Sequence, residues 1–283
     1  MFDKVFSLIV SKAKIAAKLK VLNTLIISNI HEHSGCIVTR KLGKHNKLHS
    51  HTTPRKYAAV IFDLDGTLID SIEAYYQDLR EIFRRMDLTP VPKAEVLRVM
   101  RSGLSPWDSL IPSDIPNRKE FLQRCITIDK EIWPTIYQQE ARLFPGSYPT
   151  IEVLSNKGIR IGIVTSGWQE NNEINQLLSK EGVTFYIDAI VMRHDTPLPK
   201  PAPDPIILCL ERLAVEPTLS VYVGDAPDDI RAGKAARTKT VAVLSGVGTL
   251  ETLQPLNPDW IIQGVEEIPN ILFSTKGSDL TLN

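Results

Sequence analysis

Val60-Ile61-Phe62-Asp63-Leu64-Asp65-Gly66-Thr67-Leu68 joins an apolar run to two carboxylates spaced two residues apart and then to a glycine. The run reads as a strand, and the glycine breaks it. Side chains at i and i+2 of an extended segment point to the same side, so Asp63 and Asp65 can face one small substrate together. Two carboxylates this close favour a division of labour, with one held on a metal and the other keeping or accepting a proton. That division suits the nucleophile loop of a phosphoryl-transfer enzyme. The competing reading is an Asp-Gly turn after an edge strand.

From residue 57 onward, short β-rich runs alternate with helical segments, the pattern of a parallel sheet covered by helices. Strands are expected at residues 58–62, 160–164, 189–192, 220–223, 240–244 and 260–262. Pro203 stands near a helix start, and Ile206, Ile207, Leu210, Leu213 and Ala214 form that helix's apolar stripe. Gly158 is placed to cap a helix over 150–157. Between Ser71 and about Leu143 there is no strand alternation, only helix-like stretches punctuated by Pro90, Pro92, Pro106, Pro112, Pro116 and Pro134. This block reads as a helical insertion. Ile72, Tyr75, Tyr76, Leu79, Ile82, Phe83 and Met86 make one helical stripe and read as core. Arg101, Ser102 and Gly103, in a turn between two of these helices, are the insertion's candidates for touching substrate.

Three further signals fall at or just beyond strand ends: Thr165-Ser166-Gly167, Lys200-Pro201 and Gly224-Asp225-Ala226-Pro227-Asp228-Asp229. In an open parallel sheet the carboxyl ends of neighbouring strands share one crevice, so distant residues can converge there. Each signal supplies something that transfer of a dianionic phosphoryl group requires. Asp63 would attack phosphorus and form an aspartyl-phosphate, while Asp65 would protonate the leaving oxygen and then activate water. Asp225, the Asp63 carboxylate and the backbone oxygen of Asp65 would hold Mg²⁺, a hard cation that prefers oxygen. The Thr165 hydroxyl and the N–H groups of Ser166 and Gly167 would bind phosphate oxygens. Lys200 would place positive charge beside them. Asp229 would orient Lys200 or support the metal, Thr67 would support the site, and Asp228 reads as an exposed first-turn acid. Taken singly, each signal also has an ordinary reading as a turn, a solvated loop or a helix cap.

The chain has 283 residues, 43% hydrophobic and 23% charged, ample for one large domain or two smaller ones. Its 33 basic and 33 acidic residues balance only overall. Up to Lys56 there are 11 basic residues against Asp3 and Glu32, which leaves 22 basic and 31 acidic residues after it. An acidic body argues against nucleic acid as a partner. Cys36, Cys125 and Cys209 form no metal-ligand spacing and read as reduced thiols of an intracellular protein. No apolar stretch approaches the length of a membrane span. Residues 1–56 hold five of the six histidines and read as a basic extension, either disordered or an address; 276–283 read as a tail. Cytoplasm is the default compartment.

The ordered set Asp63-Leu64-Asp65-Gly66-Thr67, Thr165, Lys200 and Gly224-Asp225 with Asp229 resembles the four motifs of the haloacid dehalogenase superfamily. The resemblance spans about Tyr57 to Leu272. It implies an α/β fold with a Rossmann-like parallel sheet flanked by helices on both faces, built from residues 57–70 and 144–275, with 71–143 as an inserted type-one helical cap. Lys200-Pro201-Ala202-Pro203-Asp204 and the run from Gly224 to Ile230 resemble the phosphoglycolate phosphatase-like branch, whose members are Mg²⁺-dependent phosphatases of small phosphorylated metabolites. By that analogy the cap closes over the site. True haloacid dehalogenases lack the second Asp of the first motif, so Asp65 favours phosphate chemistry. Gly167-Trp168 departs from the branch, standing where relatives often carry a polar pair. The expected function is therefore hydrolysis of a small phosphomonoester. A sugar-phosphate mutase using the same aspartyl-phosphate and a non-catalytic scaffold are the alternatives, and oligomeric state is not readable.

Overall fold

A computed structural model describes residues 56–102, 105–167 and 171–273. The basic stretch up to residue 55, Gly103, Trp168 and the 276–283 tail lie outside the described residues. The strands are β1 (Ala59–Phe62), β2 (Ile69–Asp70), β3 (Arg142–Leu143), β4 (Arg160–Val164), β5 (Ala189–Val191), β6 (Ser220–Gly224), β7 (Lys239–Val243) and β8 (Trp260–Ile262). Six of them form one sheet in the order β5-β4-β1-β6-β7-β8, with every neighbouring pair parallel. Because β1 lies inside the sheet with all four residues buried, the motif does not follow an edge strand. Burial on both faces also explains why Val60-Ile61-Phe62 runs apolar without alternation.

The remaining two strands, β2 and β3, pair antiparallel, Ile69 opposite Leu143 and Asp70 opposite Arg142. Neither was readable from periodicity, since a two-residue strand shows none. They mark where the chain leaves the sheet for the helices and where it returns. Between them lie α1 (Ile72–Arg85), α2 (Lys93–Ser102), α3 (Pro106–Leu110) and α4 (Arg118–Glu140). Leu79, Ile82 and Phe83 of α1 and Met86 just past its end pack with Val96, Ile111, Cys125 and Ile132 in an apolar cluster separate from those on the sheet. Tyr75 departs from the stripe: its ring stacks on Trp133, centroids 4.7 Å apart, and with Ile72 and Leu79 it lines a cleft.

Pro134, expected as punctuation, sits inside α4, which continues through it. Proline lacks the N–H that its turn requires, at a cost of about 3 kcal/mol in a helix interior. Burial of Ile132, Trp133 and Tyr137 on either side offsets that cost and keeps the helix continuous.

Alternate residues of β1 face opposite layers. Val60 and Phe62 pack toward α5 (Ser147–Asn156), α6 (Asn171–Lys180) and Ile268. Ala59 and Ile61 pack toward α7 (Asp204–Leu213) and α8 (Pro227–Ala235). Gly158, at φ 71, ends α5, and the Ile159 N–H bonds back to Leu154 O at 3.0 Å. In α7 the stripe is corrected at Ile207, which is exposed, while Cys209 takes the buried position beneath Gly162. No described helix is long and apolar enough to cross a membrane. Restoring the missing N–H in α4 tests the balance struck there: Pro134→Ala should stabilise the fold by about 1–3 kcal/mol, seen as a higher urea midpoint at unchanged slope.

Candidate active site

Parallel register sets Phe62 beside Ile163 on one side and Val223 on the other. The residues that follow these strands therefore emerge at one edge, where Asp63, Thr165 and Asp225 are all buried. The Asp63 N–H bonds to Val223 O at 2.8 Å and the Thr165 N–H to Val191 O at 3.0 Å, so each residue is fixed by the strand next to its own.

Beyond Asp63 the chain curls back on itself. Leu68 and Ile69 N–H groups both reach Leu64 O at 2.9 Å, and Gly66 takes φ 84, a conformation L side chains rarely adopt. A Cβ there would lie 2.5 Å from Asp225 Oδ2. Thr67 Oγ1 donates to Asp225 Oδ1 at 3.3 Å, and the Val247 N–H donates to Asp225 Oδ2 at 2.8 Å. Ser245 Oγ donates to Gly66 O at 2.8 Å, and a Cβ on Gly246 would fall 2.0 Å from Asp225 Oδ2. The Ser245-Gly246-Val247-Gly248 loop after β7 is thus a further wall of the crevice that the sequence reading missed. Its signal was present: a glycine-rich run directly after an apolar strand, like the other loops.

Lys200 Nζ sits between two acids, 2.5 Å from Asp63 Oδ1 and 2.6 Å from Asp229 Oδ1. Burial works against its charge, but Asp229 and Asp63 outweigh it and hold Lys200 well above the usual lysine range. Asp229 also accepts from the Tyr222 hydroxyl at 3.1 Å and the Ala226 N–H at 3.0 Å. Both its oxygens are therefore engaged, and its place is beside Lys200. Burial pushes the Asp63 carboxyl up, Lys200 pulls it down, and Asp229 and Asp225 push it up further. Asp225 is raised to about 7, chiefly by burial and then by Asp229, against the Val247 hydrogen bond.

One oxygen from each of Asp63, Asp225 and Asp229 lies within 4.8 Å of the others. Three buried acids face a single ammonium. An all-oxygen donor set with excess negative charge fits a hard divalent cation.

Asp65 faces the same space and accepts a hydrogen bond at 2.8 Å from the hydroxyl of Tyr137, a buried residue near the end of α4. Sequence reading missed Tyr137. Its ring stacks on Trp133 with centroids 5.0 Å apart, so it carries the same apolar signature as any core aromatic. Burial, and after it Asp65, hold both Tyr75 and Tyr137 well above the phenol range, so both remain donors.

These groups share a cleft of about 470 Å³ between the strand ends and the helical block, within the range of small-molecule sites. Asp63, Asp65, Thr165, Ser166, Gly167, Lys200, Asp225 and Asp229 all line it. Thr165 Oγ1 accepts from the Gly167 N–H at 3.0 Å and keeps its own hydrogen to donate. Asp228 is exposed and pairs with Arg231 at 2.9 Å. The expectation for the turn is corrected: Arg101 and Ser102 are exposed at the end of α2, and Met100, Pro106 and Trp107 line the cleft instead. The way α2 and α3 pack, not the sequence of the turn, decides which side faces inward.

The haloacid dehalogenase-like hydrolase profile matches residues 60–243. A phosphoglycolate phosphatase of Aquifex aeolicus is 30% identical over 201 residues, 69% of this chain and 89% of the relative. A pyrophosphatase PpaX of Bacillus velezensis is 27% identical, over 77% of this chain and 98% of that protein. Among solved structures, the haloacid dehalogenase-like hydrolase SP0104 of Streptococcus pneumoniae superimposes with a TM-score of 0.61 at 22% identity, covering 76% of this chain and 98% of the other. The chain belongs to the haloacid dehalogenase-like hydrolase family.

Two outcomes follow from the acid cluster. Gly246→Ala should drive a methyl into Asp225, costing about 1–3 kcal/mol of stability and weakening cation binding, both measurable by thermal unfolding with and without a divalent salt. The raised Asp225 pKa means that the folded ion-free protein holds a proton that the unfolded chain has released above its ordinary value of 3.8. Stability therefore falls as pH climbs from about 4 to 7 and stays low above that. A saturating divalent cation should raise Tm more at pH 8 than at pH 5, where the acid is already neutral.

Proposed function

We propose that this protein is a Mg²⁺-dependent phosphatase that hydrolyses a small phosphomonoester through an aspartyl-phosphate on Asp63. The observation that carries this reading is the convergence of Asp63, Asp65, Lys200 and Asp225 on one cleft, each with a distinct hydrogen-bonding role. Asp63 is the nucleophile. Lys200, 2.5 Å from its Oδ1, favours the ionised form against the pull of burial and presents positive charge to the incoming phosphate. The Thr165 hydroxyl and the Ser166 N–H hold the phosphate oxygens, and the Gly167 N–H, bonded to Thr165 Oγ1 at 3.0 Å, positions that hydroxyl to donate. Asp63, Asp225 and the backbone oxygen of Asp65 would hold Mg²⁺, whose charge offsets the repulsion between the phosphate dianion and the carboxylates.

Chemistry proceeds in two displacements. An Asp63 oxygen bonds to phosphorus as the bond to the leaving alcohol breaks, and Asp65 gives that oxygen its proton. Asp65, then ionised, takes a proton from water as the water oxygen bonds to phosphorus and the acyl phosphate bond to Asp63 breaks. Inorganic phosphate leaves and Asp65 is again protonated. Tyr137 fixes the Asp65 carboxyl by its 2.8 Å hydrogen bond and helps set its affinity for the proton. The relatives' names include both a phosphoglycolate phosphatase and a pyrophosphatase, and this chemistry serves either bond.

Purified protein assayed for phosphate release from a metabolite panel tests the reading. Release that depends on Mg²⁺ and disappears in Asp63→Asn supports it. Isomerisation of glucose 1-phosphate without net release would replace it with a mutase, and silence on both with a scaffold. Tyr137→Phe should lower kcat on the order of tenfold and displace the limb of the pH profile that reports Asp65, with KM little changed.

A further inference from the structure

The cleft carries a second polar feature that the chemistry at Asp63 does not use. Asp78, on α1, is 4% exposed, and its Oδ1 has no hydrogen-bond donor. Its carboxyl faces that of Asp129 on α4, and both line the cleft with Met100, Pro106 and Trp107. Burial first, and Asp129 second, raise Asp78 to about 8, which makes Asp78 the protonated member whose O–H donates a hydrogen bond to Asp129. Asp129 is itself raised by burial, while the bond from Asp78 and the charge of Lys130 draw it back. The two carboxyls thus share one hydrogen bond, with Asp78 the donor.

Buried acceptors without a donor are uncommon in native proteins. Here the residue that carries the unpartnered oxygen lines a substrate-sized cleft, so a turn of its side chain brings that oxygen to a donor on a ligand seated there. Charge points the same way. Among the described residues, the cationic side chains lining the cleft, Lys200 and Arg193, come from loops of the sheet. The charged residues that the helical block adds to the lining are Asp78 and Asp129, both acids. A ligand whose far end is anionic would meet acids there and, among the described residues, no base from the helical block.

We propose that Asp78 and Asp129 receive the part of the substrate remote from phosphorus and select leaving groups that present a hydrogen-bond donor and no negative charge. Phosphomonoesters of polyols or amino alcohols have that chemistry; phosphoglycolate and pyrophosphate, anionic at both ends, do not. The inference rests on the phosphatase reading of Asp63 and adds the substrate class to it. Asp78 supplies the acceptor for a hydroxyl or ammonium hydrogen, and Asp129 the charge that favours an ammonium.

Full-length enzyme with Mg²⁺ is assayed on acetyl phosphate, phosphoglycolate, glycerol 1-phosphate and O-phosphoethanolamine. Acetyl phosphate, which offers little beyond its phosphoryl group, reports the chemistry at Asp63 alone. Expected is a kcat/KM for glycerol 1-phosphate or phosphoethanolamine at least tenfold above that for phosphoglycolate. Asp129→Asn should cut a phosphoethanolamine advantage at least fivefold, and Asp78→Leu should do the same to a glycerol phosphate advantage; whichever advantage is larger identifies ammonium or hydroxyl as the donor. Phosphoglycolate turned over as well as the others, or ratios unmoved in both variants, overturns the inference while acetyl phosphate hydrolysis leaves the phosphatase reading standing. If a variant does not fold, the ranking by the unmodified enzyme decides alone. No release from any of the four substrates overturns both.

Discussion

Repulsion among buried carboxylates governs this molecule. Asp63, Asp225 and Asp229 crowd one end of a parallel sheet with a single ammonium among them, and burial pushes both Asp63 and Asp225 toward the neutral form. A crevice in this state takes up positive charge readily, whether as protons or as a metal. The arrangement is therefore costly to fold and suited to bind, the usual tension of a preorganised site.

The fold bears that cost by leaving these acids few alternatives. Asp225 is gripped from three directions by Thr67, the Val247 N–H and two glycines that leave no space for a side chain. Asp229 is held by Lys200, Tyr222 and the first turn of its own helix. These constraints come from β6 and from the loops after β1, β5, β6 and β7, so the geometry depends on the register of the sheet and not on one motif.

Much of this was legible from sequence because parallel strands buried on both faces appear as short apolar runs, and the chemistry follows directly at their ends. Asp63, Thr165, Lys200 and Asp225 could be placed in one crevice without knowing any side-chain contact. What escaped was everything set by helix packing. Tyr137 looks like core because it is core, and its hydroxyl becomes meaningful only once α4 lies over Asp65. Asp78 and Asp129 sit on different helices, and nothing in either sequence neighbourhood announces the other. Arg101 and Ser102 read as turn residues from sequence, yet they close a helix and are exposed. Pro134 looked like a stop signal because local propensity was weighed without the buried aromatics on either side of it.

The β2 and β3 ribbon has one more implication. Both chain crossings into the helical block run side by side, hydrogen-bonded to each other, so the block is mounted on a single two-rail swivel and not on two independent tethers. Tyr137, a few residues before the return rail, reaches across that mount to Asp65. On the reading proposed for Asp65, that hydrogen bond ties the acid to the seating of the helical block on its mount.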